Sequence, residues 1–261
     1  MPLFWHRRDL RVPDNAGLAA AAERGAVVPV FVFDDAVLEY ASPPRVRVML
    51  DALDALREEY RERGSDLLTA RGDPAAVLPE MAADYGAGRV DWNRDYSGLA
   101  RRRDQRVRDA LDDAGLTPEA HDDALCHEPG SITTNEGEPY SVFTYFGRKW
   151  HDREKASPYP APGEADLAEV TGEPLPSADE LGFDSPEAET PAVGTAAARD
   201  RLAAFCDGPI YEYEASRDYP AREATSRLST DLRWGTVGIR EVYAATAEAM
   251  ADAEGEAADA V

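Results

Sequence analysis

Residues 225–229, Thr225-Ser226-Arg227-Leu228-Ser229, set three hydroxyls beside a run of backbone amides, just ahead of a short helical pattern that stops at Trp234-Gly235. Hydroxyls and amide N–H groups at a helix start form a cradle for an anion, above all a phosphate or diphosphate. The same residues also suit an ordinary Ser or Thr N-cap of a surface helix, and the pentapeptide alone leaves both readings open. Other chemistry is sparse. His121, His127 and His151 lack metal-ligand spacing, and no Ser-His-Asp order or carboxylate pair stands out. No GxGxxG or Walker loop is present, which argues against an ordinary dinucleotide or P-loop site.

The arginines are best read as structural. Arg101, Arg102, Arg103, Arg106 and Arg108 interleave with Asp104, Asp109, Asp112 and Asp113, the pattern of a solvated, internally paired helix face rather than of a nucleic-acid site. Arg7, Arg8 and Arg11 surround Asp9 and are expected to form ion pairs, while His6 sits in an apolar run and is expected to pack.

These residues need elements to hold them. Short apolar runs at LFWHR (3–7), VVPVFVFD (27–34), DLLTA (66–70) and RVDWN (89–93) read as buried strands, with TPEAHDDAL (117–125) as a fifth. Helical patterns fall between them. The first runs from an Asn15 cap to Gly25, and a longer one is opened by Pro43-Pro44 and stopped by Gly64. DPAAVLPEMAADYG and residues 97–114 supply two more. Such alternation predicts an α/β fold with a doubly wound, five-stranded parallel sheet, whose ligands sit at the carboxyl ends of the strands. Residues 1–130 form this unit; 131–197 are a crossover loop and a Pro-, Glu- and Asp-rich linker laid over the surface; 198–261 are the start of an all-α unit with a thin core. There Thr195 is expected to cap a helix, REVYAATAEAMADAE resumes after Gly238, and the tail ADAEGEAADAV is expected to fray.

With 43% hydrophobic residues the 261-residue chain can build a core, and its longest apolar run, VVPVFVF, is too short to cross a bilayer. No secretory signal follows Met1-Pro2, and Cys126 and Cys206 fit neither a disulfide framework nor a zinc site, so a reducing cytoplasm is expected. Fifty-one acidic residues against 28 basic ones give a formal charge of −23, and only Lys149 and Lys155 are lysines. Composition alone speaks against nucleic acid. It equally fits a halophilic cytoplasm, where a Debye length of roughly 3 Å at 1 M salt mutes self-repulsion.

The context of the pentapeptide decides between its readings. Upstream lie Tyr213 and Arg217-Asp218-x-Pro220; downstream lies DLRWGTVGIREVY. This ordered set resembles the photolyase/cryptochrome family at the entrance of its flavin-binding helical domain. LFWHRRDLRVPDN resembles the family's opening strand and loop, WNRDYSGLARRRD its fourth-strand segment, and HEPGSITTNEGEPYSVFTYFGRKW its crossover loop. The resemblance implies that Tyr213, Thr225, Ser226, Arg227, Leu228 and Ser229 contact FAD, the hydroxyls and amides holding its pyrophosphate. Two positions depart from the pattern: Ala224, where the family often has Gly, and Gly147, where an aromatic is common.

His6 in the opening motif looks like members with a deazaflavin antenna, whose edge would involve Phe33, Asp34, Arg45 and Asp95. Folate-binding members tend to carry an Asn-Glu pair where this chain has Leu99-Ala100, so folate is not expected. The implied activity is that of the amino-terminal portion of a light-driven, FAD-dependent enzyme repairing cyclobutane pyrimidine dimers in damaged DNA, with the electron path and lesion pocket in a further, carboxyl-terminal half, in the same or a separately encoded chain. Alone, the chain would bind FAD weakly and leave DNA unrepaired. The alternatives are a cryptochrome-like photoreceptor and a free-standing chromophore-binding α/β module.

Overall fold

The structure, a computed structural model, describes residues 1–253. Five strands, β1 (Pro2–His6), β2 (Val28–Phe33), β3 (Leu68–Arg71), β4 (Arg89–Asn93) and β5 (Thr117–His121), pair in parallel in the order β3-β2-β1-β4-β5. The order reverses between β1 and β4, where ligands of doubly wound sheets collect. Between the strands run α1 (Ala16–Ala22), α2 (Asp35–Leu38), α3 (Pro43–Arg61), α4 (Pro74–Asp84) and α5 (Gly98–Asp113). Asn15 caps α1 through Leu18 N–H as expected, and the Pro pair opens α3. Two apolar layers flank the sheet. Phe4, Phe31, Leu53 and Tyr60 pack on one face, and Trp5, Val30, Leu78 and Trp92 on the other. His6 is fully buried, hydrogen-bonded to the Tyr60 hydroxyl at 2.6 Å, and so packs as expected.

The crossover region holds an element not foreseen from sequence, helix α6 (Phe143–Asp152). The linker runs past the amino-terminal ends of β2 and β3. Val27 bridges to Leu167, the Ser65 hydroxyl donates to the Ala168 carbonyl, and Arg57 holds both the Asp66 carboxylate and the Gly172 carbonyl. Beyond it come α7 (Thr195–Cys206), α8 (Tyr213–Ser216), α9 (Ser229–Trp234) and α10 (Ile239–Asp252). Thr195 is not the cap of α7. It is the first helical residue, and Gly194 takes the cap with φ +106°, because a Cβ there would lie 2.7 Å from that of Ala55. The core of this helical unit is thin, with Ala198, Leu202, Leu228 and Val237 its buried members. The tail beyond residue 253 lies outside the described residues.

The helical unit is nevertheless clamped to the sheet. Leu10 N–H donates to the Trp234 carbonyl at 3.0 Å, and Arg11 donates to the Gly235 carbonyl at 3.0 Å. Arg240 reaches both Asp14 and Asp123, each at 2.5 Å, and Asp123 also holds Arg11 at 2.6 Å. All four side chains are buried.

These pairs set an acid limit. Burial pushes the Asp123 carboxyl up, but Arg11 and Arg240 outweigh it and hold it below the ordinary range. Burial likewise raises Asp66 and Asp91, and bonds from Arg57, and from His121 and Arg89, reverse the sign. A carboxylate depressed in the folded state contributes stability that is complete above its unfolded pKa, near 4, and is lost as pH falls through the folded value. Burial holds the His6 imidazole below its ordinary value, so the unfolded chain takes up a proton there first; urea midpoints are therefore expected to decline gently below about pH 6.5 and to fall steeply below about 4, where the carboxylates protonate. A level profile down to pH 3 would contradict these pairs.

Candidate functional site

A cavity of 210 Å³ opens at the carboxyl ends of β1, β2 and β4. Its walls come from chain segments far apart: Trp5 from β1, Phe31 and Phe33 from β2, Leu99 and Ala100 from α5, and Trp234 from α9. Each is placed by a local rule. Strand ends deliver Phe33 and Asp34 together, and Asp34 is fixed because its carboxylate caps α2 through Ala36 N–H at 3.0 Å. Asp95 follows β4, accepts Ser97 N–H at 3.0 Å and pairs with Arg8 at 3.2 Å. Burial raises the Asp95 carboxyl, yet the Ser97 amide and Arg8 bring it below the usual range, so it faces the cavity ionised.

Three of the four residues expected at the antenna edge, Phe33, Asp34 and Asp95, line this cavity. Arg45 does not. It stands exposed in the first turn of α3 and donates to the Tyr40 carbonyl at 3.4 Å. Leu99 and Ala100, the positions set against a folate-type Asn-Glu pair, do form part of the wall, which is apolar there.

Sequence reasoning missed two arginines. Arg103 lines the cavity with only 11% of its side chain exposed, its guanidinium 5.0 Å from the Trp5 ring. The expectation of an internally paired helix face fails here, because Asp104 turns inward to Arg7, at 2.5 Å, and to the Trp92 indole, at 3.2 Å. Arg233 of α9 stands at the mouth. An i, i+4 count sees only partners on one helix, so neither role was visible; the single signal was Arg103 sharing the α5 face of Ala100 and Val107, both buried. Asp9 likewise does not gather its neighbouring arginines. Arg7 pairs with Asp104, Arg8 with Asp95 and Arg11 with Asp123, while the Asp9 carboxylate accepts the Arg7 amide and the Asn93 side chain.

The second group, the pentapeptide, precedes α9. Thr225, Arg227 and Ser229 are exposed, Ser226 is half-buried, and Leu228 is buried in the small helical core. Arg227 adopts φ +50° and Leu228 φ −77°, ψ 4°. That change of hand turns successive N–H groups toward one side, the geometry of an anion nest. Among the described residues, the amides of 225–229 and the hydroxyls of Thr225, Ser226 and Ser229 make no hydrogen bond, and Arg227 pairs with Glu223 at 3.7 Å. Tyr213 is half-buried and meets Phe205 edge-on. An open cleft lies beside this group, lined by Glu212, Ser216, Arg222 and Ala224. The residue that departs from the family's glycine thus has its methyl at the cleft wall. A Cβ added at Gly147 on α6 would meet the Phe143 ring at an ordinary contact distance of 3.5 Å.

Among the described residues no group of His, Cys, Asp and Glu could hold a metal ion, and no helix is long and apolar enough to cross a membrane. The DNA photolyase family model matches residues 2–163. A deoxyribodipyrimidine photo-lyase of Halobacterium salinarum is 58% identical over 97% of the chain and 56% of its own length. A class III photolyase of Agrobacterium tumefaciens superposes with a TM-score of 0.86 at 28% identity, covering 98% of this chain and 55% of that one. An archaeal photolyase of Sulfolobus tokodaii, solved with two FAD molecules, gives 0.74 at 26% identity over 93% and 54%. The chain spans about half the length of these relatives.

Proposed function

The chain belongs to the photolyase/cryptochrome family, and on that premise we propose that it is the amino-terminal portion of a deoxyribodipyrimidine photolyase, carrying an antenna-chromophore site and the opening of an FAD site. The observation that carries the reading is the aromatic-walled cavity at the reversal of strand order, where Phe33, Asp34 and Asp95 meet. A flat conjugated ring suits walls of Trp5, Phe31, Phe33 and Trp234, with the Arg103 side chain on the same lining. A deazaflavin is favoured over folate by the apolar Leu99-Ala100 wall.

The unengaged amides of 225–229 support a diphosphate role for the nest, with Tyr213 nearby. When bound, FAD would supply the light-driven electron to a pyrimidine dimer; the residues of this chain bind and orient it. Repair of damaged DNA then depends on a carboxyl-terminal half, in the same polypeptide or a separate one. The charge of −23 is compatible with DNA in a salt-rich cytoplasm, where nonspecific phosphate attraction is weak for any protein.

The test is direct. The purified chain is titrated with a 5-deazaflavin and with a reduced folate while ring fluorescence is followed. We expect the deazaflavin to bind and an Ala100→Trp substitution, which fills the cavity, to weaken it at least about a hundredfold. FAD binding is expected to be weak, and cyclobutane-dimer repair under blue light undetectable, until the carboxyl-terminal half is added. Preference for folate, or deazaflavin binding indifferent to Ala100→Trp, would overturn the antenna assignment; efficient repair by the lone chain would overturn the division of labour.

A further inference from the structure

Helix α6 carries Phe143, Phe146, Gly147 and Trp150 at three- and four-residue spacing, which sets them in one stripe. A stripe of this kind is normally covered along its length, and here the cover is partial. Gly147 is buried and Phe146 and Trp150 are half-buried, but Phe143 is 79% exposed. Phe146 and Trp150 share the lining of a 440 Å³ cavity with Ile239, Val242 and Tyr243 of α10. The Phe143 ring lies 6.3 Å from that of Phe146, so the exposed ring continues the cavity wall, and Val142 and Tyr145 beside it are also exposed. An exposed apolar patch running into a concavity marks an interaction surface.

The groove is held in shape by the chain itself. Lys155 donates to the carbonyl oxygens of Trp150 and, at 2.8 Å, of His151, which closes the carboxyl end of α6. The same ammonium lies 4.2 Å from the Trp150 ring and 5.3 Å from the Tyr243 ring, and the two rings meet edge-on at 5.8 Å. One cation thus pins α6 to α10, and walls fixed in advance lower the cost of binding. The rim is basic. Residues 143–155 hold four cations against two carboxylates, in a chain of formal charge −23 whose two lysines both lie here. Exposed Arg148, Lys149 and Arg153 make no ion pair among the described residues; Lys149 reaches the Thr133 carbonyl and Arg153 reaches Ser131.

We propose that the groove between α6 and α10 seats a helix of the carboxyl-terminal half, one with an apolar face flanked by acidic residues, and that Phe143 is the anchor of that contact. The inference rests on the two-part reading above and adds where the parts meet. The occupant follows from the place. Helix α10 belongs to a unit whose buried apolar members are Ala198, Leu202, Leu228 and Val237, a core too small to hold a helical domain, so the helices that complete the unit are the cover its open side requires. A second copy of this chain fits less well, since it would bring the same basic rim against this one.

The full chain is co-expressed with the part of the Halobacterium salinarum relative that lies beyond its matched 56%, and association is measured on the purified proteins at about 0.3 M and about 3 M KCl. A one-to-one complex is expected at both salts. Phe143→Asp is expected to weaken it at least about a hundredfold at either salt while leaving the urea midpoint of the lone chain unchanged, because the ring is exposed there. Lys149→Glu is expected to weaken it about tenfold at the lower salt and little at the higher, and Arg24→Glu, the same reversal at an exposed position ahead of β2, to change neither. If the half binds the unaltered and Phe143→Asp chains alike, the seat is wrong while the division into two parts stands. If it binds the unaltered chain at neither salt, the two-part reading and the seat fall together. Self-association of the lone chain that is lost in Phe143→Asp would assign the groove to a second copy and overturn the proposal.

Discussion

Replacing Arg240 with leucine is expected to destabilise the protein by about 3–5 kcal/mol, the cost of leaving buried carboxylates without their partner. Arg240 donates through Nε to Asp14 and through Nη2 to Asp123, each at 2.5 Å, and also to the carbonyl oxygens of both residues. Asp14 and Asp123 are 1% and 2% exposed, so water cannot take over. Arg11 would be the one remaining cation, holding the Asp14 carbonyl and one oxygen of Asp123, beside the neutral amides of Ala16, Tyr159 and Glu241. Because Arg240 is one of the charges that depress the Asp123 carboxyl, the variant should also unfold at higher pH than the unaltered chain. Urea unfolding at pH 7, followed by the acid midpoint, measures both effects. Arg199→Ala is the control. Its pair with Glu241 lies at the surface, and its removal is expected to change stability by no more than about 1 kcal/mol. Equal losses in the two variants would show that the seam between the units does not carry stability.

The second large effect is expected at Gly235→Ala. Gly235 ends α9 with φ +66°, a left-handed conformation that costs a residue with Cβ roughly 1–2 kcal/mol. The larger obstacle is space, since an ideal Cβ would lie 2.1 Å from the Arg8 carbonyl oxygen and 2.6 Å from the Asp9 Cα, both backbone atoms that cannot rotate aside. The segment 234–238 must therefore lift off the loop after β1, and a total of about 3–4 kcal/mol is expected. Gly86→Ala separates the two causes. Its φ is +63°, but a Cβ there meets nothing, so only the conformational part should appear. Because Trp234 and Arg233 line the cavity, Gly235→Ala should also weaken deazaflavin binding, whereas Gly86→Ala should not. Equal destabilisation by the two substitutions would rule out the close approach.

The sheet was legible because its signals are local. RVDWN carries its own strand bounds, Pro43-Pro44 opens α3, and Asn15 caps α1. Helix α6 was not, since FTYFGRKWHD combines aromatic residues with a central glycine and opens on Val142, which offers no side-chain cap. The cap of α7 was misplaced by one residue because a hydroxyl is a stronger sequence signal than a glycine whose value lies in a contact 139 positions away, with Ala55. In the cavity, Asp34 and Asp95 could be found from strand ends. Arg103 could not, because the acids interleaved with the α5 arginines suggested a solvated face, whereas Asp104 turns inward to Arg7, 97 residues earlier.

One wall of the cavity, Trp234 with Arg233, is delivered by a segment more than 220 residues along the chain from the strand that faces it. The cavity is thus joint property of two modules. Shuffling the α/β unit into another protein would transplant a half-open bowl, and a working graft would have to bring the Arg8–Gly235 joint along with it.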